Sequence, residues 1–208
     1  MIHLTHKNPS FPVAVILAGG ESKRFGSPKA LAKLNGEPLI SVAVKVVRQA
    51  GFSPVICAAS EEAFLFLHCP IICDAKSFQG PLLALRQIFL ETDISKCLLL
   101  PCDMPFLSVE ILQLLWTQSE SKFVAALESG DGWKLPLPAV YAREILPTGE
   151  LLIQEGKRDL KALLKADLPK VIIPFSEWTK KAGGAHQLAN INSTTDLEAA
   201  EHSPLSSR

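Results

Sequence analysis

Short apolar runs rich in β-branched residues alternate along this chain with segments of helical spacing, and that alternation leaves few folds open. The run "VAVILA" (13–18) has no polar face, as expected of a strand covered on both sides. "PLISVAVKVVRQAG" (38–51) then reads as a helix opened by Pro38 and closed by Gly51. Strands follow at "PVICAA" (54–59) and "CPIIC" (69–73), a helix at "GPLLALRQIFLET" (80–92), and a strand at "KCLLLPC" (96–102). "SVEILQLLWTQSE" (108–120) predicts a helix with Ser108 as N-cap and Ile111, Leu112, Leu114 and Leu115 on its apolar face. "KFVAALE" (122–128), "LPLPAVYA" (135–142) and "KVIIPF" (170–175) read as further strands, with helical stretches at 143–155, 159–167 and from about Thr194. The fold class is α/β with a mainly parallel central sheet. Residues 1–10 form a polar arm, and the rest (11–208) reads as one domain, because no linker, repeat or low-complexity tract divides it.

Bulk properties narrow the function classes. Twenty-one basic residues balance 21 acidic ones, so no global field recruits nucleic acid or an anionic membrane, and any anion site must be built locally. The five cysteines (Cys57, Cys69, Cys73, Cys97, Cys102) form no C-x-x-C pair, and an odd count does not suit a secreted disulfide framework. No apolar stretch reaches the roughly 18 residues of a membrane span, and the start lacks the flanks of a signal peptide, so the cytoplasm is the expected location.

In an open α/β sheet, ligands bind beyond the carboxyl ends of the strands, so the residues at those ends carry the functional information. After the first strand come Gly19 and Gly20, where amides can approach an anion closely, then Arg24 and Lys29. Neither G-x-x-x-x-G-K-[ST] nor G-x-G-x-x-G is present, so the loop is either a phosphate cradle of another kind or a tight turn with solvated charges. After the third strand come Asp74 and then Gly80-Pro81, which also fit a turn and an ordinary helix start. Asp103 ends the "CLLLPC" strand where one carboxylate would hold a hard cation beside phosphates; the alternative, a helix cap, is already served by Ser108. Asn190 and Asn192 flank Ile191 and would face one side of an extended segment, or Asn192 simply starts a turn before a helix capped by Thr194 or Thr195. A glycine loop, two cations, a lone aspartate and no conspicuous base suit phosphoryl or nucleotidyl transfer. A hydrolase is disfavoured: G-x-S-x-G is absent and the five histidines are scattered, with His68 and His186 expected to be structural or surface residues.

These residues resemble a known family. "LAGGESKRFGSPKAL" (17–31) is similar to the signature of the Rossmann-like nucleotidyltransferases, and "DAKSFQGPLLAL" (74–85), "LLLPCDMPFL" (98–107) and "NINSTTDL" (190–197) resemble, in order, further motifs of the molybdenum cofactor guanylyltransferases. "LPLPAVY" (135–141) and "GKRDLKALL" (156–164) also look like family segments. The resemblance implies a three-layer fold with a nucleotide-binding half (about 11–107) and a pterin-substrate half (about 108–200). It implies Mg²⁺-dependent transfer of GMP from GTP to the terminal phosphate of molybdenum-molybdopterin, with pyrophosphate released. Leu17, Ala18, Gly19 and Gly20 would contact the nucleotide, and Arg24 and Lys29 would hold its phosphates. Asp74, Gly80 and Pro81 would serve the guanosine end, Asp103 would bind Mg²⁺, and Asn190 and Asn192 would face the pterin or complete the metal site. Proteins that insert molybdenum or mature molybdoenzymes are the implied partners. Pro28 before Lys29 is more usual in relatives that use CTP, and the second strand ends in "CAAS" (57–60), where an asparagine that helps read the base is often found. A cytidylyltransferase on the same pterin is therefore the alternative, and a non-catalytic nucleotide-binding relative the more distant one.

Overall fold

The computed structural model describes residues 12–19, 28–73 and 80–202. Within them the chain forms β1 (Val13–Leu17), β2 (Lys33–Leu34), β3 (Glu37–Pro38), α1 (Leu39–Gln49), β4 (Ser53–Ala58), β5 (Ile71–Cys73), α2 (Pro81–Glu91), β6 (Lys96–Pro101) and α3 (Val109–Gln118). There follow β7 (Val124–Glu128), β8 (Lys134–Ala142), α4 (Leu146–Gln154), α5 (Lys161–Lys165), β9 (Lys170–Ile173), α6 (Phe175–Ala182) and α7 (Thr194–Glu201).

Seven strands make one sheet in the order β5-β4-β1-β6-β8-β7-β9, and β2 and β3 form a separate small hairpin. The pairs β1–β4, β1–β6, β4–β5 and β7–β9 are parallel. Only β8 runs the other way, antiparallel to both β6 and β7. The reason is local. Residues 129–133 leave too little chain for the crossover of a dozen or more residues that a parallel return needs, so β7 and β8 can only fold as a hairpin. On the register, Ala126 faces Ala139 but Leu127 faces Leu135, so residues 136–138 bulge out of the ladder. The hydroxyl of buried Tyr141 ties this bulge down by donating to the Pro136 carbonyl at 2.8 Å.

Side-chain alternation explains why the central strands read as unbroken apolar runs. Ala14, Ile16, Ile56, Leu98 and Leu100 pack on one face with α1 (Ile40, Val44, Val47) and α3 (Ile111, Leu112, Leu115). Val13, Val15, Leu17, Val55, Cys57, Cys97 and Leu99 pack on the other with α2 (Leu82, Leu85, Ile88, Phe89) and α5 (Leu163, Leu164). Both faces are covered, so no position on β1 can be polar. A third, smaller cluster joins Leu34, Leu39, Ile191 and Ala200, and so ties the small hairpin to α7.

Helix ends follow the expected chemistry. Ser108 caps α3 by accepting from the Ile111 amide at 3.4 Å, and Pro81 occupies the first turn of α2. The strand expected over 170–175 stops at Ile173, because Pro174 ends the ladder and opens α6, an eight-residue helix absent from the expected elements. His68 takes a left-handed conformation (φ 50°) to close the turn after Leu67, and His186 is exposed in the turn 185–188.

The carboxyl end of α2 is fastened by Arg143. Its guanidinium donates to the carbonyls of Phe89, Thr92 (2.5 Å) and Ile94 (2.7 and 3.1 Å). Removing this fork strands several carbonyls at once. Arg143→Ala is expected to lower unfolding free energy by about 2–4 kcal/mol, given ~1.5–3 kcal/mol for a hydrogen bond to a charged group. Arg143→Lys should recover only part of it, because an ammonium cannot reproduce the fork. Urea unfolding of the three proteins checks this, and near-equal midpoints would refute it.

Candidate active site

Leu17 pairs level with Pro101, so Gly19 and Asp103 lie just beyond the carboxyl ends of neighbouring parallel strands. The two chains stay in register briefly past the sheet. The Cys102 amide donates to the Leu17 carbonyl at 3.2 Å, and the Ala18 amide to Cys57 at 2.9 Å. Ala18 is half-buried and Gly19 is exposed, so the backbone emerges into solvent at the first glycine. Burial pushes the Cys102 thiol up to about 12, with Asp103 adding to the effect, so this cysteine is a neutral packing group and no nucleophile.

Lys29 reaches the same point from another direction. Pro28, with φ −54°, opens the short turn Lys29–Leu31, and its carbonyl accepts from the Leu31 amide at 2.9 Å. The Lys29 ammonium then donates to Asp103 Oδ2 at 2.5 Å and to Asn192 Oδ1 at 2.8 Å. Lys29 and Asp103 keep only 18% and 20% of their side-chain surface, so the pair is screened less than a surface bridge. Asp103 Oδ1 is buried and has no hydrogen-bond partner among the described residues. A desolvated carboxylate oxygen left unmatched is costly, and a cation would relieve that cost.

The donor set fits a hard divalent ion that takes most of its oxygens from substrate. Among the described residues no group of three or more His, Cys, Asp or Glu side chains is placed to hold a metal. Such ions are held by one or two carboxylates with substrate oxygens completing the shell, and the unmatched Asp103 oxygen at the strand end suits that.

The segment 190–196 closes the site. The Ile191 amide donates to the Asp103 carbonyl at 2.9 Å, Ile191 itself is buried, and Asn190 and Asn192 on either side are exposed. Ser193, and neither threonine, caps α7 by accepting from the Asp196 amide at 3.1 Å. Asp196 Oδ2 accepts from the Asn192 amide at 2.7 Å. That bond first, and the Ser193 hydroxyl second, hold its carboxyl below the usual carboxylate range.

Of the residues singled out in the sequence, Lys29, Asp103 and Asn192 meet directly, with Gly19 at the adjoining strand end. Gly80 and Pro81 start α2, and Gly80 has a packing duty of its own. A Cβ there would stand 2.5 Å from the Arg158 carbonyl oxygen, and φ is +119°. The Leu82 amide donates to that same carbonyl at 3.1 Å, so the segment "GKRD" (156–159) is laid against the helix start. Gly20, Arg24 and Asp74 lie outside the described residues. Sequence reasoning missed Asp196, although Ser193-x-x-Asp196 is a recognisable capping pattern.

Residues 14–171 match the MobA-like NTP transferase domain. The chain is 33% identical over 200 residues to a probable molybdenum cofactor guanylyltransferase of Synechococcus elongatus, covering 90% of this chain and 97% of that one. It is 32% identical over 165 residues to a protein of the same name from a Geobacillus species, covering 73% and 80%. The crystal structure of molybdopterin-guanine dinucleotide biosynthesis protein A from Archaeoglobus fulgidus superposes with a TM-score of 0.75 at 25% identity, over 90% of this chain and 96% of that one.

Proposed function

The chain belongs to the MobA-like NTP transferase family and is a nucleotidyltransferase, and from that premise we propose that it transfers GMP from GTP to the terminal phosphate of molybdenum-molybdopterin. The observation that carries this reading is the Lys29 ammonium set between Asp103 and Asn192 at the end of the central strands, beside an unmatched Asp103 oxygen.

An oxygen of the acceptor phosphate attacks the α-phosphorus of GTP. The bond from that phosphorus to the α–β bridging oxygen breaks, and pyrophosphate leaves with the electron pair. The nucleophile is already ionised near neutral pH, so the protein need not supply a general base. Its work is to bring two anions together and to hold them in line. Lys29 meets the α-phosphate, where charge develops. The exposed backbone at Gly19, with Leu17, Ala18 and Gly20, lies along the nucleotide, and Arg24 adds a second cation. Asp103 would hold Mg²⁺, which when bound would supply charge neutralisation at the phosphates. Asp74 with Gly80-Pro81 serves the guanosine end, and Asn190 faces the pterin. The residues up to about 107 serve the nucleotide and those after it the acceptor, in the cytoplasm, where molybdenum-inserting and molybdoenzyme-maturing proteins are the partners. Among the described residues, no helix is long and apolar enough to cross a membrane.

Pro28 favours a second reading, transfer of CMP from CTP to the same acceptor. A thermal-shift panel of GTP, CTP, ATP and UTP with Mg²⁺ separates the two. GTP at a hundredfold excess over its Kd should add about 2.7 kcal/mol, roughly 5–10 °C for a chain of this size, with smaller shifts from the others. A larger shift with CTP overturns the guanine assignment, and equal indifference to all four overturns catalysis.

A further inference from the structure

Asn192 shares with Asp103 the task of locating the Lys29 amine, yet Asn192 is exposed, and ordering an exposed side chain costs less entropy where its backbone is already fixed. It is fixed on both sides. The preceding amide, Ile191, is bonded to the Asp103 carbonyl at 2.9 Å, and its own amide to Asp196 Oδ2 at 2.7 Å. Asp196 stands in the first turn of α7, where an aspartate ordinarily serves its own helix. Here Ser193 already caps that helix, and the Asp196 carboxylate reaches past the cap to the residue before it. The rest of α7 is anchored independently. Ala200 and Ile191 pack with Leu34 and Leu39, and Glu201 Oε1 accepts from the Asn35 amide at 3.1 Å. One small cluster therefore carries both the hairpin that follows Lys29 and the helix that fixes Asn192.

We propose that Asp196 is a positioning residue for nucleotidyl transfer, acting on Lys29 through Asn192, with α7 as the frame that sets the lysine against its phosphate. The inference rests on the transfer reaction proposed above. A carboxylate suits the task because hydrogen bonds to an ionised acceptor are short and strong.

A double-mutant cycle on the full chain tests it, with Asp196→Ala, Asn192→Ala, both together, and Asp196→Asn. Asp196→Ala should lower kcat/KM for GTP roughly tenfold, the scale of one charge-assisted hydrogen bond. Asp196→Asn should restore most of it, because an amide oxygen still accepts from the Asn192 N–H. In the Asn192→Ala background Asp196→Ala should cost no further activity, although it should still lower Tm as a lost helix-end charge does. A loss of activity that persists in that background assigns Asp196 a merely structural role and overturns the proposal. The Lys29 Nζ–Cε resonance of the nucleotide-free protein is a second readout. Asp196→Ala should move it in the wild-type background and not in the Asn192→Ala one. An unmoved signal overturns the positioning role whatever the activity. A signal that moves in a chain that transfers no nucleotide supports that role and overturns the transfer reading instead.

Discussion

Replacing Asp103 with asparagine is expected to lower pyrophosphate release by roughly 10³-fold, on the scale of losing a preorganised electrostatic group at the reacting phosphate. The substitution is nearly isosteric. It leaves the backbone bond from the Ile191 amide to the residue-103 carbonyl untouched, so the end of β6 and the segment 190–192 stay joined. The charge is lost. One of the two oxygens becomes an NH2 group, so the side chain can no longer offer both the partnerless oxygen and the acceptor that holds Lys29 at 2.5 Å. Folding should suffer little. The lost ion pair is offset by relief of an unmatched buried carboxylate oxygen, so Tm is expected to stay within a few degrees. Single-turnover pyrophosphate release and a thermal melt on the same sample check both halves. Activity within tenfold of the parent would place the cation elsewhere. An unfolded variant would make Asp103 a structural residue.

The strands and helices that were legible in the sequence were those whose pattern is set by burial. β1, β4 and β6 are covered on both faces, so their continuous apolar runs left no competing assignment. Punctuation by Pro38, Gly51, Pro81 and Ser108 placed helix ends within a residue or two. What the sequence hid was set by tertiary contacts. The short helix α6 sets Phe175, Trp178 and Ala182 at helical spacing, but eight residues straight after a strand are a short window, and what fixes it is tertiary: buried Trp178 donates its indole N–H to the Glu128 carbonyl at 2.7 Å. The antiparallel β8 also carries a bulge that no local propensity announces, held from inside by Tyr141.

At the site, residue types were legible and their connections were not. Lys29 and Asp103 stood out because each follows a buried strand, and the sheet's topology brings neighbouring strand ends together. Asn192 stood out by its alternation with Asn190 about an apolar residue, yet nothing in one dimension says that it accepts from a lysine 163 positions away. The choice of cap on α7 illustrates the same limit. Ser193, Thr194 and Thr195 are equivalent in composition, and only the extended backbone at Ser193 (φ −146°) selects it. Gly80 carries a packing duty that one dimension does not announce. The resemblance implies a role at the guanosine end, and beside it the missing Cβ makes room for the Arg158 carbonyl of the same chain.

Lys29→Ala is expected to weaken GTP binding about tenfold and to lower the transfer rate roughly 10²-fold or more, since the ammonium acts most strongly where charge develops on the α-phosphate. Lys29→Arg should recover little of this. The ammonium is a point donor between two oxygens at 2.5 and 2.8 Å in a site that leaves it 18% exposed, and a planar guanidinium cannot enter that space in the same geometry. The alanine variant also leaves the Asp103 carboxylate shielded from water and without this cation, which should cost about 1–3 kcal/mol of stability. That loss alone could mimic a catalytic effect by loosening the strand end. The double variant Lys29→Ala/Asp103→Asn separates the two causes, because it removes charge and countercharge together. Its Tm should return towards the parent while its pyrophosphate release stays at the level of Asp103→Asn. Recovery of activity along with Tm would show that Lys29 serves the fold and that another cation meets the α-phosphate.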